Sequence, residues 1–270
     1  MKKFYVITNT TKDAKLHITK QVQELIVKNG GECKLEVDGD NVERDVDCIL
    51  VLGGDGTMIR AAREYHKLGI PLLGVNIGTL GYLAEVELQG VDEAIAQMMK
   101  DNFVVEERMM LNGVVNDNEK DIALNDIVIS RYGSLRIIRF NLYVNGQLLH
   151  SYKADGAIIS TPTGSTAYNL SAGGPIVEPT AAMFVITPIC SHALNTSSIV
   201  LSAEDEIVIE VGSGRDGSEE EVMLSFDGEH NIALRTGDTI TVKKANDTVK
   251  FLKLSKRSFL ETLRKKMEGK

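Results

Sequence analysis

The chain has too few cysteines for a disulfide framework and no hydrophobic segment long enough for a transmembrane helix. Its three cysteines, Cys33, Cys48 and Cys190, are scattered over 270 residues without metal-ligand spacing, which argues against a disulfide scaffold and a structural zinc site. No apolar run approaches the roughly 20 residues that span a bilayer. We therefore expect reduced thiols and a protein that does not enter membranes.

The chain also has no net positive charge and no recognisable secretion signal. Its net charge of −8 argues against nucleic acid as the main partner, because phosphate-backbone binding needs clustered Lys and Arg. The N-terminus has only four consecutive apolar residues, too few for a signal-peptide core, so we expect a cytoplasmic protein. The basic tail from Lys253 to Lys270 is the one exception, and its pattern favours an amphipathic helix packed on the domain.

The pattern of apolar residues changes near residue 100, which divides the chain into two predicted domains. Strand and helix alternate up to about Lys100, which predicts a parallel sheet with helices on its faces. From Asp101 onward, short runs of period two predict an antiparallel β domain. Within that second part, Asn145-Gly146 is a strong hairpin signal, because both residues tolerate positive φ.

Two nucleotide fingerprints are absent, but a third glycine motif is present. The segment from Gly53 to Thr57 reads GGDGT, follows the apolar run CILVL and precedes a stretch of helical composition. No Lys follows its last glycine as in a P-loop, and the G-x-G-x-x-G spacing is missing. A strand, a glycine turn and a helix start still present free N–H groups and a positive dipole end, which favour phosphate.

Two charged residues bear on this phosphate interpretation. The Asp55 carboxylate is out of place in an anion-binding loop unless it holds a metal or takes a proton, both of which belong to phosphoryl transfer. The alternative is that Asp55 caps the following helix. Arg60 lies one helical turn further on, where it could neutralise phosphate charge or be an ordinary exposed helix residue.

A second motif, STPTGSTAYNLSAGGP from Ser160 to Pro175, is the most informative segment. Its glycines allow the backbone to approach a ligand closely, and five hydroxyl side chains can donate or accept hydrogen bonds. Tyr168 adds a flat face on which a base or nicotinamide ring could stack. Alone, a run of this composition is more typical of a Gly/Ser-rich surface turn, and it is the GGDGT motif upstream that favours a ligand-binding loop.

Together, GGDGT, NDIVIS and DGAIISTPTGSTAYNLSAGGPI resemble the NAD kinases, which phosphorylate the adenosine-ribose 2′-hydroxyl of NAD to give NADP. The resemblance runs from GGDGT to about Asp227. It implies a Rossmann-like α/β domain over residues 1–100, with residues 255–270 returning to it, and a β-sandwich domain over residues 101–254, with the active site between them. It also implies ATP or polyphosphate as donor, Mg²⁺ or another divalent metal carried with ATP, no dedicated metal site, and a homodimer or homotetramer.

The resemblance assigns roles residue by residue. Asp55 matches the general base, and Gly56 matches a backbone position close to NAD. Tyr82 stands where an aromatic lies near the adenine, although a core tyrosine is the alternative. Asn125-Asp126 stands where Asn-Glu binds adenosine and ribose; the shorter Asp126 weakens its match, and a β-turn is the alternative.

Further positions match the nicotinamide-side and loop contacts. Asp155 matches a contact to the nicotinamide side, and Lys153, two residues away on an extended segment, could meet phosphate or form a surface ion pair. The other NAD-binding candidates in this half of the chain are Thr163, Thr166, Ala167, Tyr168, Asn169, Ser171, Cys190 and Glu229.

Cys190 and His192 invite a catalytic dyad, but no orienting acid or electropositive helix start accompanies them. We interpret Cys190 as a pocket-lining residue and His192 as structural.

Two other functions stay open. The GGDG loop also occurs in lipid and sugar kinases of the same superfamily, and an NAD-binding protein without catalysis would keep the same pocket.

Overall fold

The computed structural model describes residues 1–39, 41–78, 81–133, 136–193, 197–254 and 258–268. Its helices are α1 (His17–Lys28), α2 (Asp55–Tyr65), α3 (Val91–Met99), α4 (Tyr168–Ser171) and α5 (Phe259–Met267). Its strands are β1 (Lys3–Thr8), β2 (Glu32–Leu35), β3 (Cys48–Gly53), β4 (Leu72–Asn76), β5 (Val86–Glu87), β6 (Val104–Arg108), β7 (Leu111–Val115), β8 (Glu119–Ala123), β9 (Asp126–Arg131), β10 (Ile138–Val144), β11 (Gln147–Ala154), β12 (Gly156–Ser160), β13 (Met183–Ile189), β14 (Ile199–Ser202), β15 (Ile207–Val211), β16 (Glu221–Phe226), β17 (His230–Arg235), β18 (Thr239–Lys244) and β19 (Val249–Lys253).

The chain forms two compact units, residues 1–108 with 248–270 and residues 109–247. In the first unit, one sheet has the order β2-β1-β3-β4-β19-β6, with β5 paired to β4. Neighbours from β2 to β19 run parallel, and only β6 runs antiparallel. Strand β3 is buried along its whole length, which explains its continuous apolar sequence. The predicted α/β domain with a parallel sheet is confirmed.

Parallel pairing brings the carboxyl ends of β1, β3 and β4 to one edge of this sheet. Thr8 pairs with Leu52, and Gly53 pairs with Asn76, so the segments that follow these three strands are neighbours. Ligands of open α/β sheets bind beyond the carboxyl ends of the strands. The fold of the first unit therefore places the GGDGT segment at an edge suited to binding.

The second unit consists of two six-stranded antiparallel sheets, with the orders β11-β10-β15-β18-β7-β8 and β14-β13-β12-β9-β16-β17. Strands such as β7 and β15 alternate buried and partly exposed residues, and the buried residues of both sheets form one apolar core. The predicted β-sandwich is confirmed. The predicted hairpin is also confirmed, because Asn145 and Gly146 have φ of 51° and 76° and join β10 to β11.

The boundary between the two units differs from the predicted one. Residues 104–108, which period-two patterning assigned to the β domain, pair with residues 249–253, which lay within the predicted bounds of that domain, and both belong to the sheet of the first unit. Strand β19 also pairs with β4. Patterning identifies a strand but not the sheet that it joins, so the boundary moves from residue 100 to residue 108.

The C-terminal tail contains the predicted helix, α5, but Leu260 and Met267 on it are 70% and 78% exposed.

Among the described residues, no helix combines the length and the hydrophobicity needed to span a bilayer.

Candidate functional site

The GGDGT segment forms the predicted strand, turn and helix. Strand β3 ends at Gly53, and α2 begins at Asp55 with Gly54 as its N-cap residue. A Cβ atom on Gly53 would lie 2.4 Å from Oγ1 of Thr57, so the turn closes only because Gly53 has no side chain. Gly56 is exposed, and a Cβ atom there would meet nothing within 4 Å. The protein itself therefore does not require glycine at position 56.

The Asp55 carboxylate is held by the turn that follows β4. Its Oδ2 accepts the backbone N–H of Tyr82 at 2.8 Å, and its Oδ1 accepts that of Leu83 at 3.0 Å. A Cβ atom on Gly81 would lie 1.9 Å from Oδ1, so the carboxylate packs directly against this glycine. A carboxylate offers about four lone-pair positions. Two remain for a proton or a ligand.

Tyr82 lies beside Asp55, as its backbone N–H donates to that carboxylate. Its ring is partly buried, and burial, followed by the charge of Asp55, raises the pKa of its hydroxyl. The residues immediately before this turn, Thr79 and Leu80, lie outside the described residues.

Arg60 does not have a free guanidinium. Its Nη1 and Nη2 donate to the Glu36 carboxylate at 3.0 and 3.4 Å, and Nη1 lies 3.6 Å from Oε2 of Glu64. These two carboxylates already neutralise the charge that a phosphate would need. Neither sequence interpretation of Arg60 included this ion pair, because Glu36 lies 24 residues away in the chain.

In the second unit, the Asn125-Asp126 pair is held by a distant carboxylate. Oδ2 of Asp227 accepts the N–H of Leu124 at 2.8 Å, and Oδ1 accepts those of Asn125 and Asp126 at 2.7 and 3.1 Å. Asp227 itself follows β16 with φ of 51° and donates its N–H to Asp126 O at 3.0 Å. We call this arrangement the Asp227 clamp.

The two side chains of the clamped pair differ in their surroundings. Asn125 is partly exposed, and its side-chain amide makes no hydrogen bond to the described part of the chain. Asp126 is only 5% exposed. Burial and then the charge of Asp227 raise the pKa of the Asp126 carboxyl to about 7. Asn125 can therefore meet a ligand with its amide, whereas Asp126 is a buried group that retains its proton up to neutral pH.

Most hydroxyls of the STPTGSTAYN loop bind the protein and not a ligand, which corrects the expectation from composition. Thr161 Oγ1 donates to Leu124 O at 2.6 Å and accepts the N–H of Gly164 at 3.0 Å. Ser165 Oγ donates to Pro162 O at 2.7 Å. Ser160, Thr161 and Ser165 are fully buried, and their side chains tie the loop to itself and to Leu124 and Asn125. Thr163 is 6% exposed.

The loop and the Asp227 clamp form one packed structure. Thr161 donates its N–H to Asn125 O at 2.8 Å. A Cβ atom on Gly164 would lie 2.1 Å from that same carbonyl oxygen and 2.5 Å from its carbon. Gly164 is therefore required by close backbone packing, which fixes the loop against the turn that carries Asn125.

The side chain of Asn169 is also bound inside the protein. Its side chain is fully buried, its Nδ2 donates to Ser165 O and Pro175 O at 3.1 and 3.0 Å, and its Oδ1 accepts the Thr187 hydroxyl at 2.6 Å. All of its main hydrogen-bonding positions are used inside the protein. Asn169 holds the loop together, and it does not present its amide to a ligand.

The accessible members of this loop are few. Tyr168 is 46% exposed, Ser171 is exposed, and Thr166 and Ala167 are partly exposed. The phenol ring of Tyr168 and the hydroxyl of Ser171 thus stay available for stacking and hydrogen bonding, and the Thr166 hydroxyl, which donates to Thr163 O at 3.4 Å, keeps its accepting capacity.

The residues around Asp155 form another group. Asp155 follows β11 and donates its N–H to O of Ile189, the last residue of β13. In the turn after β13, His192 donates its N–H to Lys153 O at 3.0 Å. This turn includes Cys190, which is exposed and has φ of 47°. Sequence reasoning paired Asp155 with Lys153, but its carboxylate lies 3.3 Å from Nη1 of Arg131.

Glu229 is exposed in the turn between β16 and β17, next to Asp227. Sequence reasoning missed two residues of this unit that matter. Arg131 gave no signal, because it stands at the end of a strand far from Asp155 in the chain. Asp227 appeared only as a family landmark, and its three contacts to residues about 100 positions earlier had no local signal.

Comparisons with known proteins agree over the whole chain. A family model described as the ATP-NAD kinase N-terminal domain matches residues 3–103, and one described as the ATP-NAD kinase C-terminal domain matches residues 124–254. An NAD kinase of Agathobacter rectalis is 48% identical, with 99% of each chain covered. An NAD kinase of Lachnospira eligens is 41% identical, with 99% of this chain and all of that protein covered.

Solved structures show the same fold. An NAD kinase from Archaeoglobus fulgidus in complex with ATP has a TM-score of 0.79 and 25% identity, covering 97% of this chain and 98% of that one. Yeast NADH kinase complexed with NADH has a TM-score of 0.84 and 21% identity, covering 99% of this chain and 88% of that one. At that identity, the likeness to the yeast enzyme supports the fold alone.

Proposed function

This chain belongs to the NAD kinase family, and on that premise we propose that it transfers the γ-phosphoryl group of ATP to the 2′-hydroxyl of the adenosine ribose of NAD. The products are NADP and ADP. The observation that carries the proposal at the level of residues is Asp55, a carboxylate at the start of α2 whose two oxygens each retain accepting capacity.

In the proposed mechanism, the ribose 2′-oxygen attacks the γ-phosphorus in line with the bond to the β-phosphate oxygen. The bond from the 2′-oxygen to the γ-phosphorus forms as the bond from the γ-phosphorus to the β-phosphate oxygen breaks. ADP leaves with the electron pair of the broken bond. Asp55 accepts the proton of the hydroxyl. Since a carboxylate is a weak base at neutral pH, most of its effect comes from position, and the N–H groups of Tyr82 and Leu83 supply that position.

The NAD-binding part of the proposal uses the residues that remain accessible. We assign the adenosine half to Asn125, with the phenol ring of Tyr168 as a stacking surface and Thr166 and Ser171 as hydrogen-bonding groups. Asp155 is assigned to the nicotinamide side, where Arg131 holds its carboxylate in place. Arg60 and Asn169 are left out, because other residues of the protein already occupy their polar atoms.

The divalent metal belongs to the substrate in this proposal. No group of three or more His, Cys, Asp or Glu side chains able to hold a metal ion occurs in the described part of the chain. Mg²⁺ enters with ATP, keeps several of its waters, and neutralises charge on the phosphate oxygens. The donor could equally be polyphosphate, which carries the same reacting group.

Two other functions predict different results. A lipid or sugar kinase of the GGDG superfamily would phosphorylate another hydroxyl, and a lipid kinase would co-sediment with vesicles. An NAD-binding protein without catalysis would be stabilised against heat by NAD but would turn over with no donor. The family-specific loop around Tyr168 and the intact Asp55 favour the NAD kinase.

The deciding experiment measures NADP formation from NAD and MgATP, coupled to an NADP-specific dehydrogenase. Asp55→Asn should reduce kcat by about 10²-fold or more while NAD still binds by calorimetry, since a general base contributes on that order. The matched control is Asp92→Asn, which changes an exposed aspartate in the first turn of α3 and should leave kcat unchanged.

Each failure has a separate meaning. If wild type makes no NADP from ATP or polyphosphate, the proposed reaction is wrong, and lipid and sugar acceptors are the next substrates. If wild type turns over and Asp55→Asn is equally active, the reaction stands but Asp55 is not the base. Cytoplasmic location and a homodimer or homotetramer complete the proposal, and light scattering on the purified protein tests the assembly.

A further inference from the structure

A lysine that the sequence motifs did not select lies at the edge of the parallel sheet where the GGDGT segment begins. Lys12 follows β1, and β1 pairs with β3 up to Thr8 and Leu52. The backbone continues this pairing, as Asn9 donates its N–H to Leu52 O at 2.8 Å. Lys12 is therefore brought to the GGDGT segment by strand pairing, although 40 or more residues separate them in the chain.

Asn9 fixes the turn that carries Lys12. Its Oδ1 accepts the N–H groups of Thr11 and Lys12 at 3.1 and 3.3 Å, and its carbonyl accepts the Lys12 N–H at 3.0 Å. Its Nδ2 donates to Oγ1 of Thr57 at 3.1 Å. One asparagine thus orders the Lys12 turn and ties it to the last residue of GGDGT.

The Lys12 side chain extends over two glycines of this edge. A Cβ atom on Gly78 would lie 2.5 Å from Nζ of Lys12 and 3.2 Å from its Cε, and a Cβ atom on Gly54 would lie 3.4 Å from Nζ. Neither glycine has a left-handed backbone: Gly54 has φ of −114°, and Gly78 is not among the positive-φ residues. At Gly78 the missing side chain makes room for the ammonium group, whereas a side chain at Gly54 would only come into ordinary contact with it.

The ammonium group has no acidic partner in the part of the chain that the structure describes. Lys12 makes no side-chain hydrogen bond or ion pair within the described ranges, and the neighbouring Asp13 carboxylate is used by the N–H and hydroxyl of Thr19. The Asp55 oxygens accept from Tyr82 and Leu83. A free cation therefore lies beside the start of α2, whose first N–H groups also attract anions.

We propose that Lys12 binds the phosphate oxygens of the phosphoryl donor and holds the donor over the GGDG loop. The inference deepens the proposed function and rests on it. A compact ammonium suits this task, because three donors on a flexible stem can follow a phosphate as its charge moves to the leaving group. Gly78 supplies the space in which that ammonium is held, and Gly54 borders it.

The test uses the full-length protein and three variants. Lys12→Met removes the charge and keeps the length of the stem. Gly78→Ala keeps the charge but displaces it, because the new methyl group would lie 2.5 Å from Nζ, closer than the two atoms can approach. Lys15→Met is the matched control, since Lys15 is an exposed lysine three residues away whose side chain makes no hydrogen bond or ion pair with the described residues.

We expect Lys12→Met to lower kcat/KM for MgATP by about tenfold or more, the effect of losing one charge-assisted contact, while calorimetry shows unchanged affinity for NAD. Gly78→Ala should change kcat/KM for MgATP in the same direction, and Lys15→Met should not change it. Calorimetry with magnesium tripolyphosphate should show weaker binding in Lys12→Met, a readout that needs no turnover.

Three outcomes would overturn the inference. The first is unchanged kcat/KM for MgATP in Lys12→Met when wild type makes NADP. The second is weakened NAD binding with unchanged tripolyphosphate binding, which would assign Lys12 to the NAD pyrophosphate. The third is an equal loss in Lys15→Met. Absence of NADP formation by wild type would refute the proposed function instead, and tripolyphosphate binding would still report on Lys12.

Discussion

The Asp227 clamp predicts that a single oxygen-to-nitrogen change more than 100 residues from Asn125 will disorder the proposed NAD-binding turn. Asp227→Asn has the same shape as the native residue and tolerates the same backbone, because Asn adopts left-handed conformations readily and Asp227 has φ of 51°. The Asn oxygen can replace Oδ1 and accept from Asn125 and Asp126. Its NH₂ group must then face the N–H of Leu124, which Oδ2 accepts at 2.8 Å in the native protein.

The expected cost follows from the burial of that N–H group. Leu124 is 0% exposed, so water cannot replace the lost acceptor, and a buried unsatisfied donor costs about 1–3 kcal/mol. Loss of charge on the two remaining hydrogen bonds adds about 1 kcal/mol. At pH 6, where Asp126 is mainly protonated, relief of repulsion between the two carboxylates offsets little. We expect a destabilisation of about 2–4 kcal/mol.

The assay combines urea denaturation, followed by circular dichroism at pH 6, with hydrogen exchange of the amides of residues 124–126. Protection of these amides should fall together with the free energy of unfolding. In the kinetic assay, KM for NAD should rise more than KM for MgATP, because Asn125 loses its fixed position.

Asp117→Asn is the matched control. Asp117 also lies in a strand-connecting turn, has φ of 57°, and is exposed, with no hydrogen bond from its carboxylate to the described residues. Its replacement should change the free energy of unfolding by less than about 0.5 kcal/mol. The reasoning is refuted if Asp227→Asn behaves like Asp117→Asn in both stability and amide protection.

Two further predictions test a buried charge and a glycine. The pKa of the Asp126 carboxyl is near 3.8 in the unfolded chain and about 7 in the folded protein. As the pH rises from about 4 to 7, the free energy of unfolding of wild type should therefore fall relative to that of Asp126→Asn, by up to about 4 kcal/mol. Urea titrations of both proteins at pH 5 and pH 8 measure this difference in free energy of unfolding, and a difference that does not change with pH contradicts the prediction. The new methyl group in Gly56→Ala would meet nothing within 4 Å, so the substitution should stabilise the protein by about 0.4–1 kcal/mol. It should also raise KM for NAD several-fold, because the methyl group enters the space assigned to substrate. A variant that is more stable and fully active would show that Gly56 does not approach NAD.

Local sequence determined the elements that depend on backbone chemistry and burial. The continuous apolar run of β3, its ending in glycines and the helical composition that follows predicted the strand, turn and helix of the GGDGT segment. Asn145-Gly146 predicted its hairpin in the same way. These features depend on residues within about ten positions of one another, and the family resemblance of the same segments identified the reaction.

Tertiary structure decided which polar side chains face solvent. Asn125 and Asn169 are equally polar in sequence, but Asn169 is buried, and both N–H donors of its amide and its carbonyl oxygen already bind Ser165, Pro175 and Thr187. Arg60 has two carboxylate partners, whereas Lys12 has no partner among the described residues. Composition gives the donors and acceptors of a segment but not whether the fold has already used them.

The sequence by itself therefore determined the family and the two fold classes, because short motifs and periodic burial encode them locally. Only the tertiary structure decided the domain boundary at β6 and β19, the Asp227 clamp and the position of Lys12 over Gly54 and Gly78. Each of these is a contact between segments about 40 to 150 residues apart. Such contacts follow from strand pairing and packing, which no local pattern specifies.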